Sequence, residues 1–391
     1  MERFLVFTPV EITLIAVAGV LFIIQLWYYL NAYARPYDRR RDQENKPAPR
    51  VYPPVSVIIY SKNESENLRR FLPSVLEQDY PEFQVVVVND GSTDESDEVL
   101  SFYETRYPHL YHTYIPEEVK YLSRKKLALT VGIKAAKHEI LLFTEANCRP
   151  LGNRWIASMA RNFTEHTDIV LGFCAYGHKR GVLDRLAAYD NLVTGLRYLS
   201  SALCGQPFTA CGKNLAYRKG LFFEHKGFSK FLNLHAGDDD LFVNRLATPL
   251  NTRVEYAPES ITEMAPYERF KVWKEMKVSR ASTMRYYRGH RLLFYRLANL
   301  TRYLFIVSVA ALAVAGIYGN PVSAALGAVL LLVWFGVQAT VLKRGALLLQ
   351  QRPLTLWLPF LDFFHTVYSV YVRVYRVFRG RNDYTFRLGN K

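Results

Sequence analysis

Val55-Ser-Val-Ile-Ile-Tyr60 runs into the polar turn Ser61-Lys-Asn-Glu-Ser65, and Val85-Val-Val-Val88 runs into Asn89-Asp-Gly-Ser-Thr-Asp94. How these two segments are read decides the fold. Unbroken apolar, β-branched runs mark strands covered on both faces, which is the habit of parallel sheets. Between them, residues 66–78 have helical character and end at Gln78-Asp-Tyr-Pro81. Two strands, each closing in a polar turn, place side-chain acceptors and backbone amides along one carboxyl edge. Open α/β folds bind nucleotides at that edge. A carboxylate there, Asp90, can read a ribose or a base edge.

Working outward, the pattern repeats. Residues 95–107 and 125–136 read as helices, while 111–115, 140–143 and 169–173 read as strands. Strands alternating with helices of this length predict βαβ units and a mainly parallel sheet. The fold class expected is therefore α/β.

Half of the 391 residues are hydrophobic, more than a soluble domain needs. Residues 13–34 carry no charge and are long enough to cross a bilayer. Residues 303–342 are likewise uncharged, and Gly319-Asn-Pro321 divides them into two spans. Trp27-Tyr-Tyr29 and Arg35 follow the first run where a secretory signal would carry small residues. Arg35, Arg39, Arg40 and Arg41 follow the first span, and Lys343 and Arg344 follow the third. The positive-inside tendency then puts the soluble region on the cytoplasmic side of a multi-pass protein of the cell (inner) membrane. The expected division is a transmembrane helix at 1–35, a linker at 36–54, a soluble domain at 55–297, two transmembrane helices at 298–342, and an amphipathic segment with a tail at 343–391. Residues 353–378 mix aromatics with Asp362, His365, Arg373 and Arg376, which suits a helix or two in the interface. A re-entrant hairpin is the alternative.

The net charge of +15 accumulates largely beside the proposed spans, where it meets anionic head groups. No nucleic-acid-binding signature is present, so membrane lipids and not nucleic acid are the expected partners. Cys148, Cys174, Cys204 and Cys211 lack metal-ligand spacing and, in a cytosolic domain, should remain thiols.

Asn63-Glu64, Asp79-Tyr80-Pro81 and Asn89-Asp90-Gly91-Ser92 resemble the pattern of the family 2 glycosyltransferases, which use the glycosyltransferase A-type (GT-A) fold. The likeness runs from about residue 55 to residue 283. It implies a nucleotide-sugar donor, with Ser61, Asn63, Glu64, Asn89 and Asp90 on the nucleotide side. Lys125 matches a lysine of the family at a helix start, where exposed amides also favour a diphosphate; Arg124 replaces the family's glycine. Glu145-Ala146-Asn147 stands where the family carries Asp-x-Asp. The resemblance thus implies a divalent cation, Mg²⁺ or Mn²⁺, held by Glu145 and Asn147, although a neutral carbonyl is a weaker ligand than a carboxylate.

Gly212-Lys-Asn-Leu-Ala-Tyr217 is similar to a family segment near the sugar and acceptor. Asp238-Asp-Asp240 follows, and crowded acids raise one another's pKa. The family places its general base here, which alignment assigns to Asp239, with Asp238 second. The Gln-x-x-Arg-Trp element of processive synthases is missing from 273–283, where Arg280 and Lys277 are left as cations for a diphosphate and Trp273 as a platform for a sugar. The resemblance implies inverting transfer from a nucleotide sugar, a UDP-sugar, to a lipid-linked or polysaccharide acceptor. An inactive scaffold in a glycan assembly complex and a processive synthase are the alternatives.

Overall fold

A computed structural model describes residues 7–47, 51–115 and 123–378. Residues 48–50 of the linker and 379–391 of the tail lie outside the described residues.

Ten strands occur among them: β1 (Val55–Ser61), β2 (Phe83–Asn89), β3 (Leu110–Tyr114), β4 (Ile140–Glu145), β5 (Cys148–Pro150), β6 (Ile169–Leu171), β7 (Cys174–Tyr176), β8 (Leu215–Arg218), β9 (Thr252–Val254) and β10 (Thr262–Met264). Seven of them form one sheet in the order β3-β2-β1-β4-β8-β6-β9. The first four run parallel, as the two valine-rich segments predict. Val85, Val86, Val87 and Val88 are all fully buried, each worth roughly 1.5–3 kcal/mol of hydrophobic stabilisation. Helices Ser65–Leu76 and Arg124–Ala135 provide covering faces.

β8 reverses direction against both β4 and β6. That reversal brings the residues just before Leu215 to the edge where β1, β2 and β4 end. Register fixes the rest of the edge, since Ser61 lies opposite Asn89 and Tyr60 opposite Glu145. A second sheet, β5-β10-β7, stands beside it.

Among the described residues, three helices are long and apolar enough to cross a membrane: Pro9–Tyr33, Arg291–Tyr318 and Pro321–Leu348. Thr8 and Glu11 form a reciprocal capping box at the start of the first. The free oxygen of Glu11 also accepts from the Asn320 amide at 3.0 Å, tying this end to the turn between the other two. At the opposite end the spans grip helix Val182–Leu203 of the soluble part. Arg197 of that helix donates to Tyr33 Oη (2.9 Å) and to Asn299 Oδ1 (3.1 Å). Residues 358–378 form one continuous helix rather than a hairpin. It buries Leu361, Asp362, His365 and Tyr368 and leaves Phe363, Val367, Val370 and Val374 exposed.

Candidate active site

The two polar turns are first of all a clasp. Asn63 adopts φ +51°, a conformation asparagine tolerates better than most residues. Its Oδ1 accepts from the Thr93 amide at 2.8 Å, while its own amide donates to Ser92 Oγ at 2.8 Å. Asn89 Oδ1 caps the Ser92 amide at 3.1 Å, and the Glu64 amide donates to Ser96 Oγ at 3.2 Å. Both asparagines therefore hold the loops in shape. Ser61 is fully buried at the strand end, and its hydroxyl has no partner among the described residues.

Three successive cations open helix Arg124–Ala135, and each turns about 100° from the last, so each serves a different neighbour. Arg124 Nε donates to Asp90 Oδ1, while Tyr60 Oη holds Asp90 Oδ2 at 2.8 Å. Asp90 is 1% exposed, lying beneath the surface on which sequence alone places it. Lys125 Nζ bridges Glu145 Oε1 (2.8 Å) and Asp238 Oδ2 (2.9 Å). Lys126 is buried and donates to the carbonyls of Phe231 and Leu234, both at 2.8 Å, and of Ala236 at 2.6 Å. Burial pushes its pKa down to about 8. Through Lys126 the helix fixes the loop leading into the acidic cluster.

Glu145 ends β4 with both oxygens engaged. Burial alone would raise its pKa, but the ammonium groups of Lys125 and Lys213 hold it far below the usual carboxylate range. Lys213 pairs with Glu145 Oε2 and also donates to Asn147 Oδ1 at 3.1 Å. The two side chains expected to hold a divalent cation are thus turned onto one ammonium. Among the described residues no group of three His, Cys, Asp or Glu side chains gathers as a cation site. Hard cations of this kind need free oxygen ligands, so the donor set as arranged does not fit one. Lys213 carries no signal in the sequence beyond its place in Gly212-Lys-Asn-Leu-Ala-Tyr217.

The acids at 238–240 differ in their surroundings. Asp238 is buried against Lys125. Asp239 is the least buried of the three; its Oδ2 accepts from the Gly212 amide and its Oδ1 from the Asp240 amide, both at 2.7 Å. One cleft is lined by Asp239, Asp238, Glu145, Lys125 and Tyr60. Asp240 is buried away from that cleft, with Oδ2 accepting from Thr283 and, at 2.8 Å, from Tyr287 Oη. Burial, then the charge of Asp239, raises its pKa from 3.8 to about 6. A carboxyl whose pKa rises on folding binds protons better when folded, so its contribution is greatest below pH 4 and is lost as pH climbs through about 6. Asp240→Asn should accordingly flatten the pH dependence of the unfolding midpoint between pH 4 and 7 relative to wild type. Parallel profiles for the two proteins would exclude this role.

Two expectations for 273–283 are corrected. Trp273 is 1% exposed and stacked on Tyr368, with ring centroids 4.6 Å apart, so it offers no face to a sugar. Lys277 pairs with Asp190, which also meets His365 Nε2 at 3.0 Å. Trp273 instead joins helix Phe270–Thr283 to helix Leu358–Phe378, and Lys277 joins it to Asp190 of helix Val182–Leu203. Arg280, also on helix Phe270–Thr283, lies within electrostatic reach of Cys211, Asp239 and Asp240.

A mainly parallel sheet with carboxylates and cations at its carboxyl edge, docked on three apolar helices, is an α/β arrangement of GT-A type. Residues 56–225 match the model of glycosyl transferase family 2. It is 28% identical over 145 residues to the poly-β-1,6-N-acetyl-D-glucosamine synthase of Staphylococcus epidermidis, which is 37% of this chain and 32% of that protein. It is 35% identical over 100 residues to glycosyltransferase AglE of Haloferax volcanii, covering 25% of this chain and 32% of the relative. The chain thus spans about a third of the length of these curated relatives. Among solved structures, a mannosyltransferase of Pyrobaculum calidifontis, in complex with GDP-Man and Mn²⁺, is similar with a TM-score of 0.53 at 22% identity, over 86% of this chain and 99% of that one. At that identity the likeness concerns the fold.

Proposed function

We propose that the protein is an inverting glycosyltransferase anchored in the cell membrane, moving a sugar from a nucleotide donor, a UDP-sugar, to a hydroxyl of a lipid-linked or polysaccharide acceptor. The convergence of Lys125, Glu145, Asp238 and Asp239 on one cleft carries this reading. Asp239 takes the proton from the acceptor hydroxyl, whose oxygen attacks the anomeric carbon. The bond from that carbon to the diphosphate breaks in line, and the nucleoside diphosphate leaves with the electron pair. Lys125 and Arg280 oppose the charge that grows on the leaving group, the kind of electrostatic stabilisation that dominates group transfer. Asp90, held by Arg124 and Tyr60, supports the nucleotide end from beneath.

A hydrolysis and transfer screen across UDP- and GDP-sugars, on membranes containing the protein, tests this. Release of nucleoside diphosphate from one donor, abolished in Asp239→Asn, is expected. No release from any donor would favour a scaffold role.

The soluble part is assigned to the cytoplasmic side on the strength of Arg39, Arg40 and Arg41 after the first span and Lys343 and Arg344 after the third. A cysteine placed at Glu44 should resist an impermeant thiol reagent in intact cells and react after lysis. Equal labelling before lysis would invert the topology.

A further inference from the structure

We infer that Lys213 occupies the place of a divalent cation, so that the donor diphosphate is bound by protein cations without a metal. The inference rests on the donor reading above and specifies how that same site works.

The geometry is particular. β8 runs antiparallel between β4 and β6, which delivers Lys213 alongside the end of β4. Its main chain is pinned from two sides, its carbonyl accepting from Thr144 Oγ1 at 3.1 Å and from Thr262 Oγ1 at 3.2 Å. The next residue, Asn214, is fully buried. It donates to the carbonyls of Phe173 (2.8 Å) and Ser260 (2.7 Å) and accepts from Trp155 Nε1 at 3.1 Å. The backbone at 213–214 therefore has little freedom, and the lysine stem starts from a fixed point. Its Nζ reaches Glu145 Oε2 and Asn147 Oδ1, while Lys125 takes the other oxygen of Glu145. The side chain remains 16% exposed, beside Glu145 and Gly212, which line the cleft.

A divalent ion at this point would need the same two oxygens and would stand against two ammonium groups. Close like charges repel strongly in a partly buried site. An ammonium offers three donors. With two of them on Glu145 and Asn147, a third remains for a phosphate oxygen. Glu145 and Asn147 then act as positioning residues that aim Lys213, not as metal ligands. The substitution of Asn for the second acid has a physical sense on this account. A neutral carbonyl orients an ammonium without neutralising it, which leaves its charge for the diphosphate.

Titration calorimetry on the full-length protein in detergent, with UDP and GDP as probes, decides the matter. Binding of one nucleotide in EDTA should match binding in Mn²⁺ within about twofold, well below the tenfold step that one lost interaction would produce. Lys213→Met should weaken binding in EDTA by at least about tenfold, the scale of one charge-assisted hydrogen bond, while Lys213→Arg retains most of it. Binding that requires Mn²⁺ in the wild type would overturn the inference and leave the donor reading intact. So would unchanged binding by Lys213→Met in EDTA. Absence of binding by either nucleotide, with or without Mn²⁺, would overturn the donor reading and this inference with it. If Lys213→Met does not fold, the wild-type comparison in EDTA and Mn²⁺ still decides.

Discussion

Asp239→Asn should lower turnover by about 10² to 10⁴, the usual loss on removing a general base, while nucleotide affinity stays close to wild type. The asparagine keeps one acceptor oxygen for the two amides, of Gly212 and Asp240, that Asp239 now holds on separate oxygens, so the loop loses one contact and the remainder of the loss should be chemical. Asp238→Asn should be milder in turnover. Its carboxylate faces Lys125, and its loss should show first in donor binding. Steady-state kinetics with single-turnover controls distinguish the two. If Asp239→Asn retains near-normal transfer, Asp239 is a helix cap and the base lies elsewhere.

Asp362→Ala should destabilise the full-length protein by about 3–5 kcal/mol, because it strands a buried cation. Arg302 of the second span is 6% exposed and donates to Asp362 Oδ1 at 2.6 Å. The same oxygen accepts from Tyr189 Oη at 2.7 Å, so the carboxylate joins a span, a soluble helix and the helix Leu358–Phe378. Arg302 Nε already has no partner among the described residues, which leaves the guanidinium little to fall back on. Thermal unfolding in detergent measures the effect. The double variant Arg302→Met with Asp362→Leu should recover most of the loss, since two apolar groups replace a buried pair without stranding a charge. A shift of the single variant within about 1 kcal/mol, the size of a surface pair, would show that the bridge is dispensable.

The sheet was legible where strands were long. Val57, Ile58 and Ile59 and the four valines at 85–88 have no competing period, and only a covered strand accommodates them. β8 was not legible as a strand that reverses the sheet. Its four residues came into view only through a motif, and strand direction leaves no mark in so short a segment. The three-residue strands β5, β7 and β10 are shorter still. At the site, residue type revealed which groups are chemical but not whom they face. Asp90 and Trp273 look accessible in sequence and are buried, because Arg124 and Tyr368 come from elsewhere in the chain to cover them. The crowding of acids at 238–240 did foretell a raised pKa. It falls on Asp240, the member that packing takes out of solvent. Lys213 gave no warning, since its role depends on β8 lying antiparallel beside β4.

The seam between helices Phe270–Thr283 and Leu358–Phe378 has a practical consequence for anyone wishing to handle this protein in water. Trp273 stacks on Tyr368, and Asp190 is shared between Lys277 and His365. Cutting the chain before Arg291 to obtain a detergent-free fragment would remove Tyr368 and His365 together. The fragment would leave Asp190 short of a partner and bare the indole of Trp273 on the same helix as Thr283, which holds Asp240 next to Asp239 of the cleft. Such a fragment is expected to aggregate or to lose its catalytic loop. A shortened version that works should instead keep residues 358–378 attached, or supply them as a separate peptide.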